Sequence, residues 1–359
     1  MFLGNGIPII RISNLPQNAS FVDLDDCIYY KKGNYISFEV HNGDLLIAMS
    51  GATTGKTAIY NKKTLAYLNQ RVGLFKSTNS DSLYYPFLYA FVSTPVFKRQ
   101  LSTRLIAGAQ PNISSSDIES IRISIPQKNE QEKIAHLMLL LDERIATQNK
   151  IIDKLQSLIK GINQNVFTDD GFNYMLKELC EIRSGYSGNQ LTSKNGLKVS
   201  RIETISGHKV NIERVGYVAP FASSENYKLQ IGDILFSNIN SVEYIGNTAF
   251  IEKDYGLYHG MNLLRLMPNK NIVIPLYLYL LLNTNKMQNH FKTICNKAVS
   301  QASINQTELG KTVVKIPSIK AQKQICELYQ SLYNKLETEN NAISLLQKQK
   351  EYLLRQMFI

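Results

Sequence analysis

The sequence predicts an α/β (α+β) protein in which two repeated mixed α/β domains are separated by two long antiparallel coiled-coil helices. Three observations carry this prediction. Residues 110–167 align without a gap on residues 301–358 at a constant offset of 191. Each copy holds a loop, an Ile-Pro pair and a long apolar-striped segment: Gln110 falls on Gln301, Ile113 on Ile304, Ile125-Pro126 on Ile316-Pro317 and Gln131 on Gln322. Matching turn-then-strand signals precede both copies, so the repeat takes in whole halves. Two copies of one binding unit suggest a target with two parts.

In chain order, Arg11-Ile12 matches Arg201-Ile202 at an offset of 190, and Gly43-Asp44-Leu45-Leu46-Ile47 matches Gly232-Asp233-Ile234-Leu235-Phe236 at 189. The helical segments after Pro86 and Pro275 also match at 189. Residues 129–166 then read as one helix, with Pro126 ahead of it, Asn129 placed to cap it and Glu132 at the third position as in a capping box. Its apolar stripe runs Ile134, Leu137, Leu141, Ile145, Ile152, Leu155, Ile159, Ile162, Val166, with Gln148 inside it. The second copy repeats the stripe as Ile325, Leu328, Leu332, Leu336, Glu339, Ile343, Leu346, Lys350, Leu353, Met357, including one over-long step at the same place. Such a stutter unwinds a supercoil locally, so two helices that both carry it stay in register. At 1.5 Å per residue each helix is roughly 57 Å long, and its narrow seam needs a partner in water. The named interface residues are therefore Ile134, Leu137, Leu141, Ile152 and Leu155 against Ile325, Leu328, Leu332, Ile343 and Leu346. The alternative, two unrelated surface helices each lying on its own domain, leaves the shared stutter unexplained.

The resulting map is domain 1 at 1–128, helix 1 at 129–167, domain 2 at 168–318 and helix 2 at 319–359. Domain 1 is short at its start, because residues 176–191 (LKELCEIRSGYSGNQL) would align before residue 1. Either the chain is truncated there or the first domain is completed differently.

Composition bounds the function. At 359 residues and 44% hydrophobic content, two domains can each bury a core. Cys27, Cys180, Cys295 and Cys326 are dispersed with no CxxC pair, which fits a reduced cytosolic protein without structural zinc. The longest apolar stretches are too short to cross a bilayer and the Met1-Phe2-Leu3 start lacks a basic n-region, so nothing predicts export or a membrane. Net charge is +11, with 0 and +2 on the two helical segments, +5 on residues 1–128 and +4 on 167–318. Positive excess on two separate globular parts is what a polyanion binder shows.

Enzymatic signals are absent or fail on geometry. Ser50-Gly51-Ala52-Thr53-Thr54-Gly55-Lys56-Thr57 imitates a phosphate-binding P-loop, but it has three residues rather than four between its glycines and runs into a strand-like Ala58-Ile59-Tyr60. No acidic residue has Lys two positions later, which removes the metal-nuclease [DE]-x-K element. There is no Asn-Pro-Pro-aromatic motif for an adenine methyltransferase and no GxGxxG. His41, His136, His208, His259 and His290 are scattered rather than grouped with a nucleophile.

The passages AGAQPNISSSDIESIRISIPQKNEQEKIAHLMLLLDERI and KAVSQASINQTELGKTVVKIPSIKAQKQICELYQSLYNKL resemble the repeated region of type I restriction-modification specificity (S) subunits. That pattern is a Gln-x-x-Ile loop, a strand ending in Ile-Pro, then Glu-Gln and a long helix. The first copy matches through Gln110, Ile113, Pro126, Glu130 and Gln131; the second keeps Gln301, Ile304, Pro317 and Gln322 but has Ala321 where Glu is usual. The resemblance implies two target recognition domains, each binding one half of a bipartite site in double-stranded DNA, with the helices fixing the gap. It also implies two methyltransferase (M) subunits and nuclease/translocase (R) subunits as partners, no membrane, and a cytoplasmic location. S-adenosylmethionine, ATP and Mg would be used by those partners, with no catalysis, cofactor or metal on this chain. A protein-only coiled-coil adaptor and a truncated, inactive specificity variant remain the alternatives.

Base readout needs donors and acceptors on groove-entering loops, and phosphate contacts need Lys, Arg or backbone amides. The candidates are Ser50, Thr53, Thr54, Lys56, Asn69, Gln70 and Arg71 in the first domain, and Asn238, Asn240, Tyr244 and His259 in the second. The same residue types also make turns, which is the competing reading of each one singly. Gln110 and Gln301 read as structural residues of the junction loop.

Overall fold

The computed structural model of the protein describes residues 6–16, 20–77, 79–105, 111–167, 171–297 and 301–358, and of residues 163–165 the backbone alone. Gln110 lies outside the described residues. The chain divides into two compact units, one of residues 1–154 with 337–359 and the other of 155–336. Each unit is thus a mixed α/β body built against stretches of the same two long helices, Lys128–Asn165 and Ile319–Met357.

In the first unit Thr57–Ile59, Leu45–Ala48 and Val72–Leu74 form a three-stranded antiparallel sheet. A second sheet orders Ile28–Tyr30, Ile7–Ile10, Ala66–Leu68 and Glu39–Val40, with Ile7–Ile10 and Ala66–Leu68 parallel. Both faces of Leu45–Ala48 are buried: Leu46 and Ala48 point into one cluster with Ile10, Ala58 and Tyr60, while Leu45 and Ile47 point into another with Phe97 and Ile113. A strand buried on both faces reads as an unbroken apolar run, which is why Leu-Leu-Ile-Ala shows no alternation.

The second unit repeats this frame with one strand more. Thr248–Phe250, Ile234–Phe236, Leu264–Pro268 and Cys180–Ser184 form a four-stranded antiparallel sheet. Phe172–Met175 pairs with Val313–Ile316. Residues 122–125, which the repeat places on Val313–Ile316, form no strand despite similar alternation. The partner of Val313–Ile316 is Phe172–Met175, and the described residues of the first unit contain no counterpart of that strand.

Shared motifs have the same local cause in both halves. Gly43 and Gly232 adopt φ of +94° and +100°, and the following aspartates accept a backbone hydrogen bond three residues back, His41 N to Asp44 and Gln230 N to Asp233, each at 2.7 Å. Asp233 is also paired with Arg265 at 2.6 Å, both side chains being buried. Arg11 N and Arg201 N donate to Asn14 Oδ1 and Thr204 Oγ1, both at 2.9 Å, opening equivalent 3-10 turns.

The long helices run 38 and 39 residues. In the first unit residues 128–154 run antiparallel to 337–357: Ile134, Met138 and Leu141 cluster with Leu346, Leu353, Leu354 and Met357, and Gln148 Nε2 donates to the Glu339 carboxylate. In the second unit Ile159 and Ile162 cluster with Ile325, Tyr329, Leu332 and Leu336. Leu137 and Leu328, expected in the seam, are instead 40% and 42% exposed, and the next residues, Met138 and Tyr329, are buried. The reason is that each helix start packs on two neighbours at once, the other helix and its own domain helix, through Ala90 of Tyr85–Val92 and Leu280 of Pro275–Leu282. Ile152 is buried, and Leu155 and Ile343 are half-buried.

The first long helix also starts differently from expectation. It begins at Lys128, so Asn129 lies inside the first turn, and Glu130 N and Gln131 N both donate to Gln127 O. What ties the helix start to the domain is Gln131, which is fully buried. Its Oε1 accepts from Tyr84 N at 2.8 Å, and its Nε2 donates to Ser82 O at 2.9 Å and Pro126 O at 2.8 Å. Gln322 repeats the clamp in the second unit, accepting from Ile274 N at 2.8 Å and donating to Ile272 O at 3.1 Å and Pro317 O at 2.9 Å.

Candidate nucleic-acid interface

In the first unit the strand Leu45–Ala48 leads through Met49 and Ser50 into a 3-10 turn, Gly51–Thr53, and returns as Thr57–Ile59. Gly51 and Gly55 sit at φ of +81° and +85°, which lets the loop reverse in six residues. A hairpin here, with no helix N-terminus behind it, cannot cradle a phosphate as a P-loop does. Gly51 N donates to Pro111 O and Ile113 N to Met49 O, each at 3.0 Å, so the loop is pinned to the junction that follows Gln110. Thr54 Oγ1 lies 2.7 Å from both Gly51 O and Pro111 O, which makes it a brace. Ser50 Oγ and Thr53 Oγ1 are buried without a hydrogen-bond partner.

Asn69, Gln70 and Arg71 form the turn between Ala66–Leu68 and Val72–Leu74. Met49 N donates to Arg71 O at 2.9 Å, so this turn lies against the Ser50 loop and the two groups form one cluster. Gln70 and Arg71 are exposed, whereas Asn69 is half-buried with Oδ1 accepting from Arg71 N at 3.3 Å. Lys56 lines a cleft of about 700 Å³ with Lys98, Lys350 and Asp142. At its floor Asp142 accepts from Ser20 Oγ and Tyr89 OH, each at 2.5 Å, and pairs with Lys350 Nζ at 2.6 Å.

The second unit places its junction in the same way, Ile304 N donating to Asn238 O at 2.9 Å. Asn238 Oδ1 is buried and unpartnered, and Asn240 bridges Ser237 Oγ and Ser241 N. Tyr244 is 49% exposed beside them. His259 does not share that surface. It is 1% exposed, with Nε2 2.9 Å from Leu263 O, and burial lowers its pKa from 6.5 to about 4. The neutral ring donates inward to that carbonyl, so its role is structural. Gln301 is exposed.

Sequence reasoning missed two features. Asp142 is a buried carboxylate among apolar seam positions, signalled only by a lysine at seam position 350. Tyr186, Phe221 and Tyr227 make a half-buried trio, Tyr186 stacking on Phe221 at 3.9 Å and 6°, joined to His259 through Tyr186 N to His259 O and His259 N to Tyr227 O. No periodicity links those three positions. Among the described residues no group of three or more His, Cys, Asp or Glu is arranged to hold a metal, and no helix is long and apolar enough to cross a membrane.

The family described as Type I restriction modification DNA specificity domain matches residues 3–157 and 171–348. A putative type I restriction enzyme MjaX specificity subunit from Methanocaldococcus jannaschii is 44% identical over 187 residues, which is 51% of this chain and 44% of that protein. The chain thus spans less than half of that relative. The EcoKI specificity subunit of Escherichia coli K12 is 24% identical over 385 residues, 98% of this chain and 82% of its own length. Among solved structures, the type I restriction-modification S subunit from M. genitalium superposes with a TM-score of 0.63 at 16% identity, covering 100% of this chain and 94% of that one. That likeness is one of fold.

Proposed function

The chain belongs to the type I restriction-modification DNA specificity domain family, and on that premise we propose that it reads a bipartite site in double-stranded DNA for a type I complex. The family is non-catalytic, so the chemistry belongs to other subunits. The observation that carries the reading is the duplicated loop cluster: the same strand exit is pinned to the same junction through Met49 O and Ile113 N in one half and Asn238 O and Ile304 N in the other. Two such clusters on two basic domains match a target in two parts.

In this reading residues 1–128 and 168–318 are the target recognition domains, and the helices 129–167 and 319–359 set the gap between half-sites. Gln70 and Arg71 contact DNA at the first half-site, with Lys56 supplying charge from its cleft. Ser50, Thr53, Thr54 and Asn69 shape the loops that present them. Asn238, Asn240 and Tyr244 serve the second half-site. Two methyltransferase subunits and the nuclease/translocase subunits complete the assembly in the cytoplasm, and S-adenosylmethionine, ATP and Mg are used there, with none held by this chain.

The test is DNA binding by the assembled complex as a function of salt. Reversing charge at Lys56 and Arg71 weakens binding to all sequences and flattens the salt dependence, each lost phosphate contact lowering the slope by about one. Substituting Asn238 or Asn240 changes sequence preference at one half-site. Unchanged affinity, salt slope and preference in all four would refute this surface.

A further inference from the structure

The second unit holds a turn that its sequence did not single out. Tyr67 bridges Ile9 in parallel and Glu39 antiparallel, and Tyr258 makes the same two bridges with Val199 and Lys228. Gly73 faces Ile47, and Leu264 faces Phe236, the counterpart of Ile47. Both comparisons give an offset of 191, so Asn69-Gln70-Arg71 of the first unit corresponds to Gly260-Met261-Asn262 of the second.

The turn is firmly mounted. His259 Nε2 donates to Leu263 O at 2.9 Å across its base, Tyr186 N donates to His259 O at 3.0 Å, and His259 N donates to Tyr227 O at 2.7 Å. These bonds seat the turn against the stacked rings of Tyr186 and Phe221. Gly260 N donates to Ser200 Oγ at 3.0 Å, and a Cβ at Gly260 would meet Ser200 O at 2.1 Å, so only glycine fits this close approach. Asn262 lies at φ of +65°, a left-handed conformation that asparagine tolerates better than most residues. A rigid turn of this kind presents its two tip side chains, Met261 at 37% exposure and exposed Asn262, in fixed directions.

Its neighbours are the second-unit candidates. The register that pairs Phe236 with Leu264 brings Asn238 beside Asn262 two residues further on. The loop that leaves Asn238 returns to the same end of the sheet, Ser237 N donating to Asn247 O at 2.7 Å, and it carries Val242 and Tyr244 at 36% and 49% exposure. Exposed apolar side chains and asparagines therefore share the place where the first unit has Gln70 and Arg71.

We propose that Gly260–Asn262 belongs to the reader of the second half-site and that Met261 packs on the methyl group of a thymine there. The inference rests on the DNA-reading role proposed above. The thymine methyl is the apolar group that a base edge offers in the major groove, and asparagine matches the donor and acceptor of adenine. Arginine, at the Arg71 position of the first unit, matches guanine instead. The two blocks of the target thus differ in composition as the two turns differ in chemistry, and the second contains A·T pairs.

The experiment measures binding of the assembled complex to duplexes carrying its methylated split motif, with each thymine on either strand replaced in turn by uracil, which removes the methyl group alone. The expected result is a position in the second block at which uracil weakens the parent complex by roughly fourfold, the worth of one buried methyl group. Met261→Ala should bind the thymine and uracil duplexes equally at that position, with an unchanged salt slope because no phosphate contact is lost. Met261→Leu should restore the discrimination. Met261 is exposed, so neither variant disturbs the core. A second block without thymine on either strand, uracil without effect in that block, or discrimination that persists in Met261→Ala would overturn the inference and leave the two-part DNA reading standing. A complex with no split motif would remove that reading, and this inference with it.

Discussion

Replacing Gln322 with leucine keeps the volume of a fully buried side chain and deletes three hydrogen bonds at once. The groups left behind are the Ile274 amide and the carbonyls of Ile272 and Pro317, all on half-buried residues packed against the helix start. A buried donor left unmet costs about 1–3 kcal/mol and each under-satisfied carbonyl about 1 kcal/mol, so Q322L should lose roughly 3–5 kcal/mol. Q322E separates the contributions. It keeps the acceptor for Ile274 N but aims a carboxylate at two carbonyl oxygens, which favours its protonated form in the folded state. Its stability deficit should therefore shrink as pH falls toward and below the ordinary glutamate range. The assay is urea unfolding combined with hydrogen exchange at Ile274. For Q131L in the first unit, the reporting amide is Tyr84. Stability of Q322L within 1 kcal/mol of the parent, with unchanged Ile274 exchange, would refute the clamp as what fixes each helix to its domain.

Other expectations follow from the buried ionisable groups. His259 is held neutral by burial with a pKa of about 4 against 6.5 when unfolded, so its contribution is complete above pH 6.5 and is lost as pH falls toward 4. The loss amounts to at most about 3 kcal/mol, and His259→Gln should remove that part of an acid-unfolding curve; an unchanged curve contradicts the inward-donating ring. Lys350→Met leaves Asp142 buried without its cation and should cost about 3–5 kcal/mol in thermal or urea unfolding. Combining it with Asp142→Leu should recover most of that loss. Ile159 already fills the repeat position of Lys350 in an apolar cluster, and a freely tolerated Lys350→Met would show that the pair carries no structural load.

Much of this was legible because the chain states its frame twice. The Gly-Asp turns, the helices after Pro86 and Pro275 and the long helices all fell where the repeat put them, since each depends on local patterns. Contacts that depend on tertiary neighbours were not legible. Heptad spacing selected Leu137 and Leu328, but a helix shared between a partner helix and a domain turns Met138 and Tyr329 inward instead. Asp142 was invisible to an apolar template. The β pattern of 122–125 was real, yet a pattern makes a strand only where an edge is available. His259 looked like a loop donor because sequence does not reveal which loop residues fold back on their own hairpin. Gln131 and Gln322 offered one overlooked signal: a polar residue kept in both copies five positions after the proline, on a helix face that should be apolar.

The most direct measurement of the central claim is single-molecule mapping of N6-methyladenine in cells with and without this gene. The account predicts a split motif, two short specified blocks around an unspecified gap of fixed length, whose methylation disappears with the gene and whose second block changes when Asn238 or Asn240 is substituted. Methylation unaffected by deletion, or a single uninterrupted motif, would contradict it.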